Sequence, residues 1–261
     1  MDSASSTLPV DEFLELVGIV RRLRRECPWD REQTHQSLRE GLIEETYEVV
    51  ESLDSNNSSG LRNELGDLLL HILLHATIAE ETGEFSLREV MSDLSQKLVR
   101  RHPHVFGDRK AESADTVRQN WEQLKMHEGR KSVLEGVPGT LPALQRAMRV
   151  QERAARVGFD WDNSDDVLRK VVEEAGELAS ALSVEDGKLR EEELGDFLFA
   201  VVNYARHLKI DPETSLRLTV EKFTRRFRFV EEQIRDRGQD IEAATLREMD
   251  DLWNEAKRRG L

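Results

Sequence analysis

The feature that most constrains this chain is a charge pattern that occurs twice. Glu44-Glu45-Thr46-Tyr47-Glu48 returns as Glu173-Glu174-Ala175-Gly176-Glu177, and Glu64-Leu65-Gly66-Asp67 returns as Glu193-Leu194-Gly195-Asp196, both 129 positions later. Each copy runs on into an apolar segment, Leu68-Leu-Leu-His-Ile-Leu in the first and Phe197-Leu-Phe-Ala-Val-Val in the second. Farther along, Lys97-Leu-Val-Arg-Arg101 resembles Lys222-Phe-Thr-Arg-Arg226, and Trp121-Glu-Gln-Leu-Lys125 resembles Trp253-Asn-Glu-Ala-Lys257. Upstream, Trp29-Asp30 pairs with Trp161-Asp162 across a small gap. A period of this kind marks a tandem duplication, so two copies of one unit are predicted. Repeated apolar positions would report only a shared fold. Repeated charges at fixed spacing report a shared site.

The 261 residues suit two small domains. Breakers are few and grouped: 54–60 and 183–188 read as loops, and the stretch Gly129 to Pro142, with Gly136, Pro138 and Gly139, reads as the boundary. The predicted organisation is therefore an N-terminal domain over 1–128, a linker over 129–142 and a C-terminal domain over 143–261. Between breakers the apolar residues fall at helical spacing, as in Phe13, Leu16, Val17, Val20 and Leu23, or Phe197, Leu198, Val201, Val202 and Ala205. No segment alternates like a strand. The expected class is all-α, two tandem helical bundles of about four or five helices each.

Charge and apolar runs exclude several classes. With 52 acidic against 38 basic residues, the net charge of −14 argues against bulk electrostatic binding of nucleic acid. Small anions stay open where a metal ion or local cations neutralise them. The longest apolar stretch, Leu68 to Ala79, is broken by His71, His75 and Thr77 and is too short to span a bilayer. The start, MDSASSTLPVDEF, has no basic and apolar leader, and the one cysteine, Cys27, has no internal partner for a disulfide. A cytoplasmic protein with no membrane partner is expected.

Residues three or four apart share a helix face, so Glu174 and Glu177 point together, as do Glu193 and Asp196. The intervening loop lets the chain return antiparallel, bringing the two pairs face to face. Four carboxylates that close repel unless a cation sits among them. Mg²⁺ is the expected ion, with Mn²⁺ as a second choice, because hard divalent cations take oxygen ligands. Glu45, Glu48, Glu64 and Asp67 form the matching set in the first copy. A lone EExxE in so acidic a chain reads as a solvated helix face, but here the pattern recurs and continues into apolar residues. The cations recur too: Lys222 with Arg226, and Trp253 with Lys257, echo Lys97, Arg101, Trp121 and Lys125. Carboxylates holding a metal, with Lys and Arg nearby, make a polyphosphate site. Trp253 either stacks on a base or packs in a core. His71 and His75 have Ala200 and Tyr204 as counterparts, so they read as ordinary helix histidines.

With Cys27-Pro-Trp-Asp30, Arg101-His-Pro-His-Val-Phe106, Val157-Gly-Phe-Asp-Trp161 and Asn203-Tyr-Ala-Arg-His207 added, the chain resembles the MazG family of all-α nucleoside triphosphate pyrophosphohydrolases, from roughly Phe13 to Lys257. The resemblance implies Mg²⁺-dependent hydrolysis of nucleoside triphosphates to monophosphate and pyrophosphate, broad base tolerance, a part in clearing unwanted nucleotides, and assembly as a homodimer. It implies Glu174, Glu177, Glu193 and Asp196 as metal ligands. Lys170, Lys222, Arg226, Trp253 and Lys257 become nucleotide contacts. Apart from the resemblance, Glu173 stands beside the ligands, where it is read as a residue to position or deprotonate water. The first copy is implied to be the weaker or inactive site, and Gly41 stands there where the second copy has Lys170. The competing class is a non-catalytic metal-dependent nucleotide sensor or a partner-binding helical scaffold. Retention of carboxylates and cations together in the second copy favours the enzyme.

Overall fold

Helix starts in this chain are set by local side-chain caps and by proline. Asn57 accepts from the Gly60 N–H, Ser86 and Glu89 close a capping box, and Asn163, Asp186, Asp211 and Thr245 cap four later helices. Pro28 and Pro103 open short helices of their own, because proline suits a first turn and breaks a helix already running. The computed structural model describes residues 9–107, 117 and 132–261, and every regular element among them is helical. The chain divides into two compact units, Met1–Leu124 and Lys125–Leu261. The first three residues of the 129–142 linker, and Trp121 and Lys125 of the repeat, lie outside the described residues.

Unit 1 contains α1 (Val10–Glu26), α2 (Pro28–Glu32), α3 (Arg39–Asp54), α4 (Ser58–Thr82), α5 (Leu87–Arg101) and α6 (Pro103–Phe106). Helices α3 and α4 pair along their length, joined by a three-residue connection, which makes them an antiparallel hairpin. Gly83 ends α4 in the left-handed conformation at φ 71°, where a side chain is strained. The core is Val20, Leu38, Leu73, Leu74 and Ile78, flanked by Phe13, Leu16 and Val17 of α1. Buried Arg24 ties α1 to α4 through Glu81 (2.6 Å) and to the α2 connection through the Gln33 carbonyl (3.0 Å).

Unit 2 contains α7 (Ala143–Ala155), α8 (Ser164–Ala181), α9 (Gly187–His207), α10 (Pro212–Asp236), a 3-10 turn (Ile241–Ala243) and α11 (Leu246–Arg258). Helices α8 and α9 form the counterpart hairpin, α7 packs on α9, and α10 pairs with α11. Val230, Ile234 and Leu252 make a buried centre between α10 and α11, with Met249 and Trp253 against it. Asp160, in the α7–α8 connection, accepts from Arg206 and is met by His207 at 3.0 Å, which fastens that connection to the end of α9. Among the described residues no helix is long and apolar enough to cross a membrane.

Candidate active site

Each hairpin places its repeated acids in one cluster. In unit 2, α8 supplies Glu174 and Glu177 and α9 supplies Glu193, with one oxygen of each within 4.8 Å of the others. Unit 1 repeats this with Glu45 and Glu48 of α3 and Glu64 of α4. Asp196 stands one turn beyond Glu193 and lines the adjoining cavity, and Asp67 lies close enough to Glu45 to act on its charge. Three acids of each copy thus come together, while Asp67 and Asp196 stand outside those two groups.

The clusters are short of positive charge. Burial and the neighbouring Glu174 push the Glu177 carboxyl above its ordinary range. In unit 1, burial and then Asp67 raise Glu45, and a hydrogen bond with Glu64 raises Glu48, since one of two facing carboxyls must hold the proton. An all-oxygen donor set strained in this way fits a hard divalent cation. Unit 2 has a partial substitute in Lys170, whose Nζ lies 2.7 Å from Glu174 and 2.8 Å from Glu173. Those two carboxylates hold the ammonium well above the usual lysine range. Glu174 is only 7% exposed, so the pair is fixed, whereas Glu173 faces solvent.

Beside the unit 2 cluster opens a cavity of about 380 Å³. Lys170, Glu174 and Asp196 belong to its lining together with Gln151, Phe159, Trp161 and Asn203. Sequence reasoning passed over Gln151 as a site residue. The available signal was its place on the apolar face of α7, at helical spacing from Leu144, Ala147 and Met148.

The remaining candidates gather elsewhere in unit 2. The Arg226 guanidinium lies 5.7 Å over the Trp253 ring, and its Nε donates to the Leu261 carbonyl at 2.7 Å. Phe223 packs on the same tryptophan at 5.0 Å between ring centres. Trp253 is half-buried against the α10–α11 centre, so packing accounts for its inner face. Lys222 is exposed on α10, and Lys257 lines a separate groove with Glu248 and Asp251. Among the described residues no hydrogen bond or ion pair joins these four to the carboxylates.

In unit 1 the two histidines of α4 differ in burial, His71 being buried and His75 half-buried. His71 is 9% exposed, and a Cβ added to Gly41 would meet its Cε1 at 3.1 Å. His75 stacks on His35, with the two Nδ1 atoms 2.7 Å apart. Cys27 is half-buried.

The family model for the MazG nucleotide pyrophosphohydrolase domain matches twice, over residues 33–106 and 163–230. A nucleoside triphosphate pyrophosphohydrolase/pyrophosphatase MazG of Thermotoga maritima is 44% identical over 94% of this chain and 95% of its own. The chain belongs to the MazG family. A nucleoside triphosphate pyrophosphohydrolase of Escherichia coli K12 is 42% identical over 95% of this chain and 97% of its own. The crystal structure of a mazG-related protein from Thermotoga maritima covers 43% of the chain at 29% identity and a TM-score of 0.40. The two MazG matches take in both acidic hairpins, and the second ends before Trp253 and Lys257.

Proposed function

We propose that unit 2 of this MazG-family chain hydrolyses nucleoside triphosphates to the monophosphate and pyrophosphate with Mg²⁺, or Mn²⁺ in its place. The supporting observation is the junction of the carboxylate cluster with the cavity: Glu174 belongs to both, and Asp196, one turn beyond Glu193, also lines the cavity. Triphosphate at the acids and nucleoside in the cavity follow from that junction. The relatives named as nucleoside triphosphate pyrophosphohydrolases agree with it.

Glu174, Glu177, Glu193 and Asp196 would hold the metal. Bound there, Mg²⁺ supplies the positive charge that both the carboxylates and a triphosphate require. Lys170 sits one turn before Glu174, where it offsets phosphate charge in the transition state. Glu173 loses its lysine partner as that happens and becomes a base for water at the exposed edge of the site. Lys222 and Arg226 add positive charge from α10, and Lys257 from α11. The half-buried Trp253 keeps an open part for stacking.

Broad base tolerance suits a cavity whose lining, besides Lys170, Glu174, Asp196 and the mutually paired Asp160 and Arg206, is aromatic, aliphatic and carboxamide. A homodimer accounts for the exposed row Leu216, Val220, Phe223 and Phe227 on α10, which a second copy would cover. A cytoplasmic role in clearing unwanted nucleotides completes the reading, with no nucleic-acid partner for so acidic a chain. Incubation of the purified chain with several nucleoside triphosphates and Mg²⁺ tests it. Monophosphate and pyrophosphate should appear and EDTA should stop them. Release of inorganic phosphate alone would overturn the assignment.

A further inference from the structure

The unit 2 cavity contains a buried acceptor that the chain leaves without a donor. Gln151 is 7% exposed and lines the cavity. Its Nε2 donates to the Phe199 main-chain carbonyl at 2.8 Å. A carbonyl only accepts, so this bond fixes which end of the amide is which. The Oε1 end is buried and receives no hydrogen bond. Such orphans are uncommon in folded proteins and costly, and they mark places where a ligand or solvent brings the missing group.

The neighbouring amide is fixed in the opposite sense. Asn203, also lining the cavity, accepts through Oδ1 from Arg206 Nε at 2.9 Å and Nη2 at 2.8 Å. Arg206 is in turn anchored by Asp160, at 3.0 Å from its Nη1. The Asn203 Nδ2 is therefore left to donate. Trp161 and Phe159 add flat apolar faces to the same lining. One fixed acceptor, one fixed donor and aromatic walls are the complement of a nucleobase edge and face.

We propose that Gln151 reads the base, its Oε1 accepting a hydrogen bond from an N–H of the base held in the cavity. This rests on the reading that the nucleoside enters the cavity while the triphosphate lies at the carboxylates. The N–H is an exocyclic amino or a ring imino group, and each common base carries one. A single neutral acceptor thus admits a broad range of nucleotides. It disfavours a base that lacks such a group, because Oε1 then stays unpaired in the complex.

The test compares ATP with purine riboside triphosphate, which lacks the 6-amino group, by kcat/KM of the full chain with Mg²⁺. The wild type should favour ATP by roughly tenfold. Gln151→Met should bring the ratio close to one by lowering ATP turnover. A loss of folded protein would lower both substrates alike and leave the ratio intact. Where the variant turns over too slowly, calorimetric binding of the two monophosphates gives the same comparison. Equal treatment of both substrates by the wild type, or an unchanged preference in Gln151→Met that keeps the wild-type helical circular dichroism, overturns the proposal and leaves triphosphate hydrolysis standing. Failure of the wild type to release pyrophosphate from either overturns the underlying reading, and the proposal with it.

Discussion

Units 1 and 2 carry the same acids on the same kind of hairpin, yet the space beside those acids differs. In unit 2 position 170 is lysine and position 200 is alanine, so a long cation reaches Glu174 and the wall of α9 recedes into the cavity. In unit 1 the equivalent positions hold Gly41 and His71, and the imidazole lies against the glycine where the lysine would run. Leu74, in the unit 1 core, stands where unit 2 has the cavity residue Asn203. Duplication thus preserved the charge cluster and exchanged its surroundings. A repeated acidic motif reports a common cation site, and the volume and polarity next to it decide whether a nucleotide fits.

The largest expected effect separates the two clusters directly. Glu177→Ala should cut turnover by roughly 10²–10³-fold, the scale for losing a group that supports transition-state charge. Glu48→Ala, its counterpart, should leave most activity. Both variants should keep their helical circular dichroism, since removing one of several mutually repelling acids relieves the cluster. Loss of activity in Glu48→Ala with Glu177→Ala unaffected would reverse the comparison. Equal partial losses would make both units working sites.

The next effect tests the cation. Lys170→Met should lower kcat by about one to two decades, because a charge-assisted phosphate contact is worth about 1.5–3 kcal/mol. The loss should fall on kcat more than on KM if the contact tightens in the transition state. An unchanged kcat would mean that Lys170 serves only to neutralise Glu173 and Glu174 while no cation is bound.

The acids of both copies were legible in the amino-acid sequence for a simple reason. A three-residue spacing on a helix fixes which side chains share a face, and the short loops near 54–60 and 183–188 bring two such faces together. The cavity was not legible. It depends on a side-chain volume difference at positions 71 and 200, and on Asp160 reaching Arg206 across 46 residues. Neither leaves a local pattern. The recurrence of Lys222, Arg226, Trp253 and Lys257 suggested one group, but among the described residues only Arg226 and Trp253 are in contact, and Lys257 lines a separate groove. The pairing of His35 with His75 was likewise hidden, since it joins residues 40 positions apart.

A smaller effect probes the exchange at positions 41 and 71. Glycine inside a helix costs roughly 0.5–1 kcal/mol relative to alanine. In Gly41→Ala the new Cβ meets His71 Cε1 at 3.1 Å, so the imidazole has to give way and part of that gain is lost. In a His71→Ala background the space is open and the whole gain should appear. Denaturant melts of the four proteins give the coupling, expected at about 0.5 kcal/mol or somewhat more. Additive substitutions would show that His71 does not shape this part of unit 1.

The smallest expected effect is a difference in acid sensitivity between the units. Burial, with the neighbouring His35 and His71, holds the His75 imidazole below its ordinary value of 6.5. The unfolded chain therefore takes up a proton near pH 6.5 that the folded unit 1 still refuses. Stability that is full above about pH 7 should fall as pH drops through 6.5 towards the lower folded value. Unit 2 carries Tyr204 at the equivalent position and so has no imidazole there. Its Asp160 moves oppositely: burial would raise the carboxyl, but hydrogen bonds from Arg206 and His207 outweigh it and hold it below 3.8. The stability from Asp160 is present above that value and lost only as pH falls further. Hydrogen exchange of the full chain, corrected for intrinsic rates, should show α1 and α4 losing protection between pH 7 and about 5.5. Helices α8 and α9 should hold. His75→Tyr, which installs the unit 2 residue, should flatten the unit 1 response. A pH dependence that survives this substitution would assign it to another group. An equal response in both units would remove the histidines from the comparison.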